Sequence, residues 1–163
     1  MHYRREVLPL TASRRRVWLL ILISLYSGAL YAQSSFVDVL SAELALRRGH
    51  TEQALDLYRS QALITDQATL LDRALSITLD ANQLESGLEI AQHWVRVDPN
   101  HIPALFYLSH LALRLHQYPL AAQTLDRVLR YDPDAALDRI LVGIYPDSSA
   151  DRLALLNALN QLD

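Results

Sequence analysis

From Phe36 onward apolar residues return every three to four positions in stretches of about a dozen, each closed by polar turn residues. That spacing predicts a helix over Phe36–Arg48, closed by Gly49-His50, and a second from Glu52 to Ile64 with Thr51 as its N-cap. Asp66 is expected to cap a third helix over Gln67–Leu79, Asp80-Ala81-Asn82 to turn the chain, and Leu84–Val97 to return it. Two further helices lie between Asp98-Pro99-Asn100 and Asp132-Pro133-Asp134, with Pro103 and Pro119 each in a first turn, where the missing N–H costs nothing. Downstream, Ala136–Tyr145 reads as a short helix, Pro146-Asp147-Ser148-Ser149 as a turn and Ala150–Leu162 as a last helix, with Ser148 and Asp151 at capping-box spacing. Strands are nowhere required, and the short connections make sequence neighbours antiparallel. The expected fold class is all-α.

Pro99 and Pro133 close successive units of about 34 residues, and the positions between them repeat. Leu105, Leu108, Ser109 and Ala112 mark the first helix of the later unit, and Tyr118, Ala121, Leu125 and Val128 the second. Shifting back by one such period finds Leu71, Ala74, Leu75, Gly87, Ala91, Trp94 and Pro99. A further shift, with one residue deleted, aligns Asp38, Ser41, Ala42, Ala45, Ala54 and Tyr58, although Asp66 stands where proline would be. Small residues at Ser109, Ala121 and Gly87 predict that the two helices of a hairpin approach closely there.

Over about residues 35–133 this pattern resembles the tetratricopeptide repeat family. The resemblance implies a helical-hairpin solenoid with repeats at about 35–67, 68–101 and 102–135, followed by a degenerate helix pair over 136–163. It also implies a non-catalytic scaffold that holds a partner protein or peptide in a concave groove. Helix A places that line such grooves correspond here to Phe36, Val39, Glu43, Leu46 and Arg47, to Asp72, Ser76, Leu79 and Asp80, and to Phe106, His110, Leu113 and Arg114. Of these, Phe36, Glu43, Arg47, Asp72, Asp80, Phe106, His110 and Arg114 are the candidate partner-binding residues, with Phe106 and Arg114 as expected anchors. The Lys and Asn clamp by which some family members grip a terminal carboxylate has no counterpart, which argues against a chaperone-tail adaptor.

The beginning of the chain is different in kind. Arg4, Arg5, Arg14, Arg15 and Arg16 precede Val17–Ala32, a run without any charge. This order fits a signal peptide cut after Ala29 or Ala32, or an uncleaved N-terminal membrane anchor through 17–32; a buried first helix is the remaining alternative. On the first two readings residues 1–32 are separate from a solenoid domain over 33–163, and the repeats are exported. Together with the resemblance, this places them in the periplasm of a Gram-negative bacterium, or on the inner membrane facing the periplasm. The last predicted helix carries Leu153, Leu155 and Leu156 with few charges, so the alternative function is a structural or self-assembling envelope subunit, a homo-oligomer through that helix.

Charge and composition narrow the chemistry. From Gln33 onward 10 Arg face 17 Asp plus Glu, a balance of −7, and the arginines are scattered among carboxylates, so nucleic acid is not the expected partner. The chain has no Cys and no Lys. Without Cys there is neither a disulfide framework nor a thiolate metal site, nor the lipidated cysteine with which several exported repeat proteins begin. His93, His101, His110 and His116 are the residues to weigh as metal ligands, but they form no HExxH or close His pair and read as solvent-facing or loop histidines. No GxSxG, phosphate loop or dinucleotide fingerprint occurs among the four glycines, and no metal, cofactor or catalytic residue is expected.

Overall fold

Helices are the only regular structure among the residues that the computed structural model describes, which are 36–135, 137 and 145–162. In chain order they are α1 (36–47), α2 (Thr51–Ala62), α3 (Ala68–Asp80), α4 (Leu84–Val97), α5 (Ile102–Arg114), α6 (Tyr118–Tyr131) and α7 (Ser149–Leu159). The segment 1–32, and with it the signal or anchor, lies outside the described residues, as does most of the helix expected over Ala136–Tyr145. Consecutive helices from α2 to α7 pack against each other, and α2 also touches α4, so the chain is an all-α array of helical hairpins. None of the described helices is long and apolar enough to cross a membrane.

The period of the sequence is present in the backbone itself. Ala68 and Ile102 open α3 and α5, Leu84 and Tyr118 open α4 and α6, and the members of each pair stand one full repeat apart. The turn inside each hairpin is closed by the same two hydrogen bonds. His50, Gln83 and Gln117 donate their N–H to the carbonyls of Ala45, Thr78 and Ala112 at 2.9, 2.9 and 2.8 Å. Gly49, Asn82 and His116 donate to Leu46, Leu79 and Leu113 at 3.0, 2.9 and 3.1 Å. This is the Schellman closure, which needs a residue at positive φ, and the chain supplies Gly49 at 79°, Asn82 at 56° and His116 at 56°. At the other end of each hairpin, Asp98 and Asp132 donate to Trp94 and Val128 at 2.8 Å, and the proline that comes next ends the helix.

Two bonds between successive units repeat as well. His93 Nε2 lies 2.8 Å from the Thr65 carbonyl, and at the same place in the next unit Arg127 Nη2 donates to the Pro99 carbonyl. Each links the second helix of a unit to the connection that precedes that unit. Contacts are therefore local along the array, as a solenoid requires.

The repeat positions form the core. Leu71, Ala74, Leu75, Leu105, Ser109, Ala112, Ala121 and Val128 are wholly buried, as are Ala42, Ala54 and Ala91, and Trp94 and Tyr58 are nearly so. Complete burial of each Leu or Val contributes about 1.5–3 kcal/mol. Gly87 marks a tight crossing, since a Cβ there would lie 3.2 Å from Leu111 Cδ2 and 3.5 Å from Thr78 Cγ2. Ser109 and Thr78 bury their hydroxyls by donating to carbonyls of their own helices, Phe106 at 2.9 Å and Ala74 at 2.5 Å.

Several caps differ from expectation. Thr51 is the first residue of α2 rather than its cap, and His50 before it makes no side-chain capping bond. Asp66 does not cap α3 either, because Gln67 holds the N-cap place and donates its own N–H to Thr65 Oγ1 at 3.2 Å. By contrast His101, expected to be a solvent-facing or loop histidine, caps α5 by accepting from Ala104 N–H at 3.3 Å, and its ring lies tilted by 32° against Trp94 with centroids 4.6 Å apart. Of the capping box expected before α7 the N-cap half is formed, Ser148 Oγ accepting from Asp151 N–H at 3.0 Å, while Asp151 Oδ2 accepts from the Ser148 hydroxyl at 2.7 Å rather than from its backbone N–H.

Candidate functional site

Three helices meet at Glu43 of α1. The buried Tyr58 of α2 donates its hydroxyl to Glu43 Oε1, and Arg73 of α3 donates Nε to Oε1 at 2.9 Å and Nη2 to Oε2 at 3.2 Å. A planar guanidinium on both oxygens of a carboxylate fixes direction as well as distance. Arg73, then Tyr58, hold the Glu43 carboxyl below its ordinary range. Burial, and after it the bond to Glu43, pushes the Tyr58 phenol up to about 12. At neutral pH the triad is an engaged ion pair on a neutral phenol, so it ties helices together and leaves no free base.

Beside the triad lies a groove of about 510 Å³ between α1 and α3, lined by Phe36, Val39 and Leu70 with Gln67, Thr69, Glu43, Tyr58 and Arg73. Phe36 is 70% exposed, an apolar surface that a partner could cover. Physically the groove offers burial of an apolar side chain, with hydrogen-bonding groups from the triad and from Gln67 and Thr69 beside it.

Of the candidate residues, the groove brings together Phe36 and Glu43, and Val39 from the wider set. Arg47 is exposed one turn beyond Glu43, and its charge adds to the lowering of the Glu43 carboxyl. The others lie elsewhere along the array. Asp72 accepts from Tyr107 at 3.0 Å, which ties α3 to α5, and burial, then Asp72, raises the Tyr107 phenol to about 12. Asp80 is exposed at the end of α3. Phe106 is half-buried and packs against the main core, and His110 is half-buried with its imidazole pushed down by burial and then by Arg114. Arg114 donates to Asn82 at 2.6 Å and lines a second depression of about 360 Å³ with His116, Tyr118 and Asp147.

Leu113, expected in the groove, is only 3% exposed. It belongs to a second core with Tyr118, Ala121, Leu155 and Ala158, because α7 docks over this end of the array. Leu46 and Leu79 likewise pack against the main core. The repeat register does not pick out Arg73, Leu70, Tyr58, Gln67 or Thr69 as groove residues. Thr69 is within its reach, since it stands one repeat after Phe36 once the one-residue deletion is counted. Nothing in the chain marks Arg73 as the partner of Glu43, because that pairing depends on how α1 and α3 are set against each other.

The histidines have separate surroundings: His93 on a carbonyl, His101 on Trp94, His110 half-buried in α5, and His116 beside Tyr118 with Nδ1 2.6 Å from its hydroxyl. Among the described residues no three His, Asp or Glu side chains are grouped to hold a metal ion. No protein-family model matches the chain, and no curated protein matches it.

Proposed function

We propose that this chain is a non-catalytic interaction scaffold of the tetratricopeptide kind, exported to the cell envelope, and that it takes a segment of a partner protein into the groove between α1 and α3. The supporting observation is that groove: exposed Phe36, with Val39 and Leu70, beside an ion pair locked by a buried tyrosine. Rigid hydrogen-bonded groups around an apolar pocket lower the entropy lost on binding, and aromatic side chains are favoured anchors at such places. Phe106, His110 and Arg114 of α5, which stands in the same helix A series, lie outside this groove, and Arg114 lines the separate depression with His116, Tyr118 and Asp147. The test compares envelope proteins retained by the wild type with those retained by a Phe36→Ala, Leu70→Asp double variant of unchanged helicity. Loss of a partner on the double variant supports the reading, and undiminished capture refutes it.

Export rests on the Arg14–Ala32 pattern. Alkaline phosphatase joined after Gln33 is expected to be active in a Gram-negative host. An inactive fusion, with a cytoplasmic reporter active at the same junction, would remove the envelope from the proposal.

A further inference from the structure

α1 and α7 are the outermost described helices, and both expose an apolar stripe on the side turned away from their neighbours. On α1, Val37, Leu40 and Leu44 are 56, 49 and 42% exposed, while Ala42 and Ala45 are buried. On α7, Leu153, Leu156 and Leu159 are 58, 51 and 37% exposed, while Leu155 and Ala158 are buried. Spacings of i, i+3, i+7 and of i, i+3, i+6 put each set on one helix face. Neither stripe lines the groove between α1 and α3, so an association through the stripes is independent of the proposed function.

We infer that copies of this chain associate head to tail, with the α7 stripe of one copy against the α1 stripe of the next. A leucine stripe is what the helices of the array present to one another, so each end offers the other the kind of surface that the interior already uses. The electrostatics favour that pairing over two like ends. Packed antiparallel, as neighbouring helices of a hairpin are, the C-terminal end of α1, with exposed Arg47 and Arg48, meets the N-terminal end of α7, where Asp147, Asp151 and Arg152 leave a balance of −1. The macrodipoles oppose correctly there, and the side-chain charges are opposite. Two α1 ends packed antiparallel would offer each arginine pair only Asp38, which is half-buried and already accepts from Gln61 at 2.9 Å, and two α7 ends would leave Asp147 without a basic partner. A heterologous contact of this sort leaves one stripe free at each end, so the product is a chain of copies rather than a closed dimer.

The absence of Cys makes the contact directly readable, since an introduced thiol is unique. Full-length chains carrying Leu44→Cys or Leu153→Cys, each at an exposed position and facing each other in the antiparallel pair, are treated with a short bismaleimide separately and mixed. Head-to-tail packing predicts no dimer from either variant alone, a single dimer from the mixture, and a ladder from the double variant. A dimer from Leu153→Cys alone shows tail-to-tail contact and overturns the proposal. So does a dimer from Leu44→Cys alone, or the absence of product from both mixture and double variant. The pair Leu40→Cys and Leu156→Cys reads the same contact one turn away, backward along α1 and forward along α7, if either first substitution reduces helicity. Adding Leu156→Asp to the Leu44→Cys, Leu153→Cys chain is expected to abolish its ladder without altering its melting curve, and a surviving ladder overturns the assignment of α7.

Discussion

Replacing Ala121 with Leu tests the register of the array where its helices cross closely. Ala121 is wholly buried in the core shared by α5, α6 and α7, and Gly87 holds the equivalent place one repeat earlier. Leucine adds three carbons beyond the alanine Cβ. Had they somewhere to go, each would bring about 0.8 kcal/mol of transfer free energy. At the equivalent crossing a single Cβ on Gly87 already lies 3.2 Å from Leu111 Cδ2, below the roughly 3.5–4.0 Å at which carbon pairs attract, so the space to gain that energy is lacking. The neighbours must move or leave their rotamers, at a cost of about 1–3 kcal/mol. For a domain of this size that lowers Tm by about 3 °C per kcal/mol, a drop of about 3–9 °C in the loss of helical circular dichroism. Gly87→Leu is expected to cost more than Ala121→Leu, because even its first carbon is crowded. Gln123→Leu, on the exposed side of α6, changes Tm by less than about 2 °C, since surface substitutions stay within about 0.5 kcal/mol. Equal losses at Ala121 and Gln123, or none at Ala121, would refute the close crossing.

Two other outcomes depend on single residues. Because Arg73 and Tyr58 lower the Glu43 pKa in the fold, the unfolded chain binds more protons in acid. That contribution is complete above the ordinary carboxyl value of 4.5 and is lost as pH falls through the lowered folded value. Glu43→Gln should therefore cost about 0.5–1 kcal/mol at pH 7, given that both ion-pair partners are partly exposed, and should flatten the fall in stability below pH 4.5, as denaturant titrations at several pH values would read. Gly49→Ala should cost about 1 kcal/mol although no atom lies within 4 Å of the added Cβ, because φ of 79° is unfavourable to any L side chain; an unchanged denaturation midpoint would contradict this.

Local sequence dictates the elements and their period. Leu84–Val97 falls where the polar turn on one side and Pro99 on the other place it, and Pro133 marks the end of the next unit. These are short-range effects: helical spacing, a missing N–H, and the small residue that a close crossing requires. Caps are less legible, because several side chains near Thr51 and Asp66 could serve and the backbone chooses among them by the path it has to take out of the preceding turn. Everything else is settled by packing between distant segments. Glu43 and Arg73 lie 30 residues apart, and which carboxylate an arginine meets depends on the offset between two helices that are not consecutive. Leu113 looks available in its own helix and is taken by α7, which returns to it from the far end of the chain. On α7 itself, adjacent leucines of equal hydrophobicity part company, Leu155 at 4% and Leu156 at 51% exposure, because docking buries one face of a helix and the period says only that faces exist.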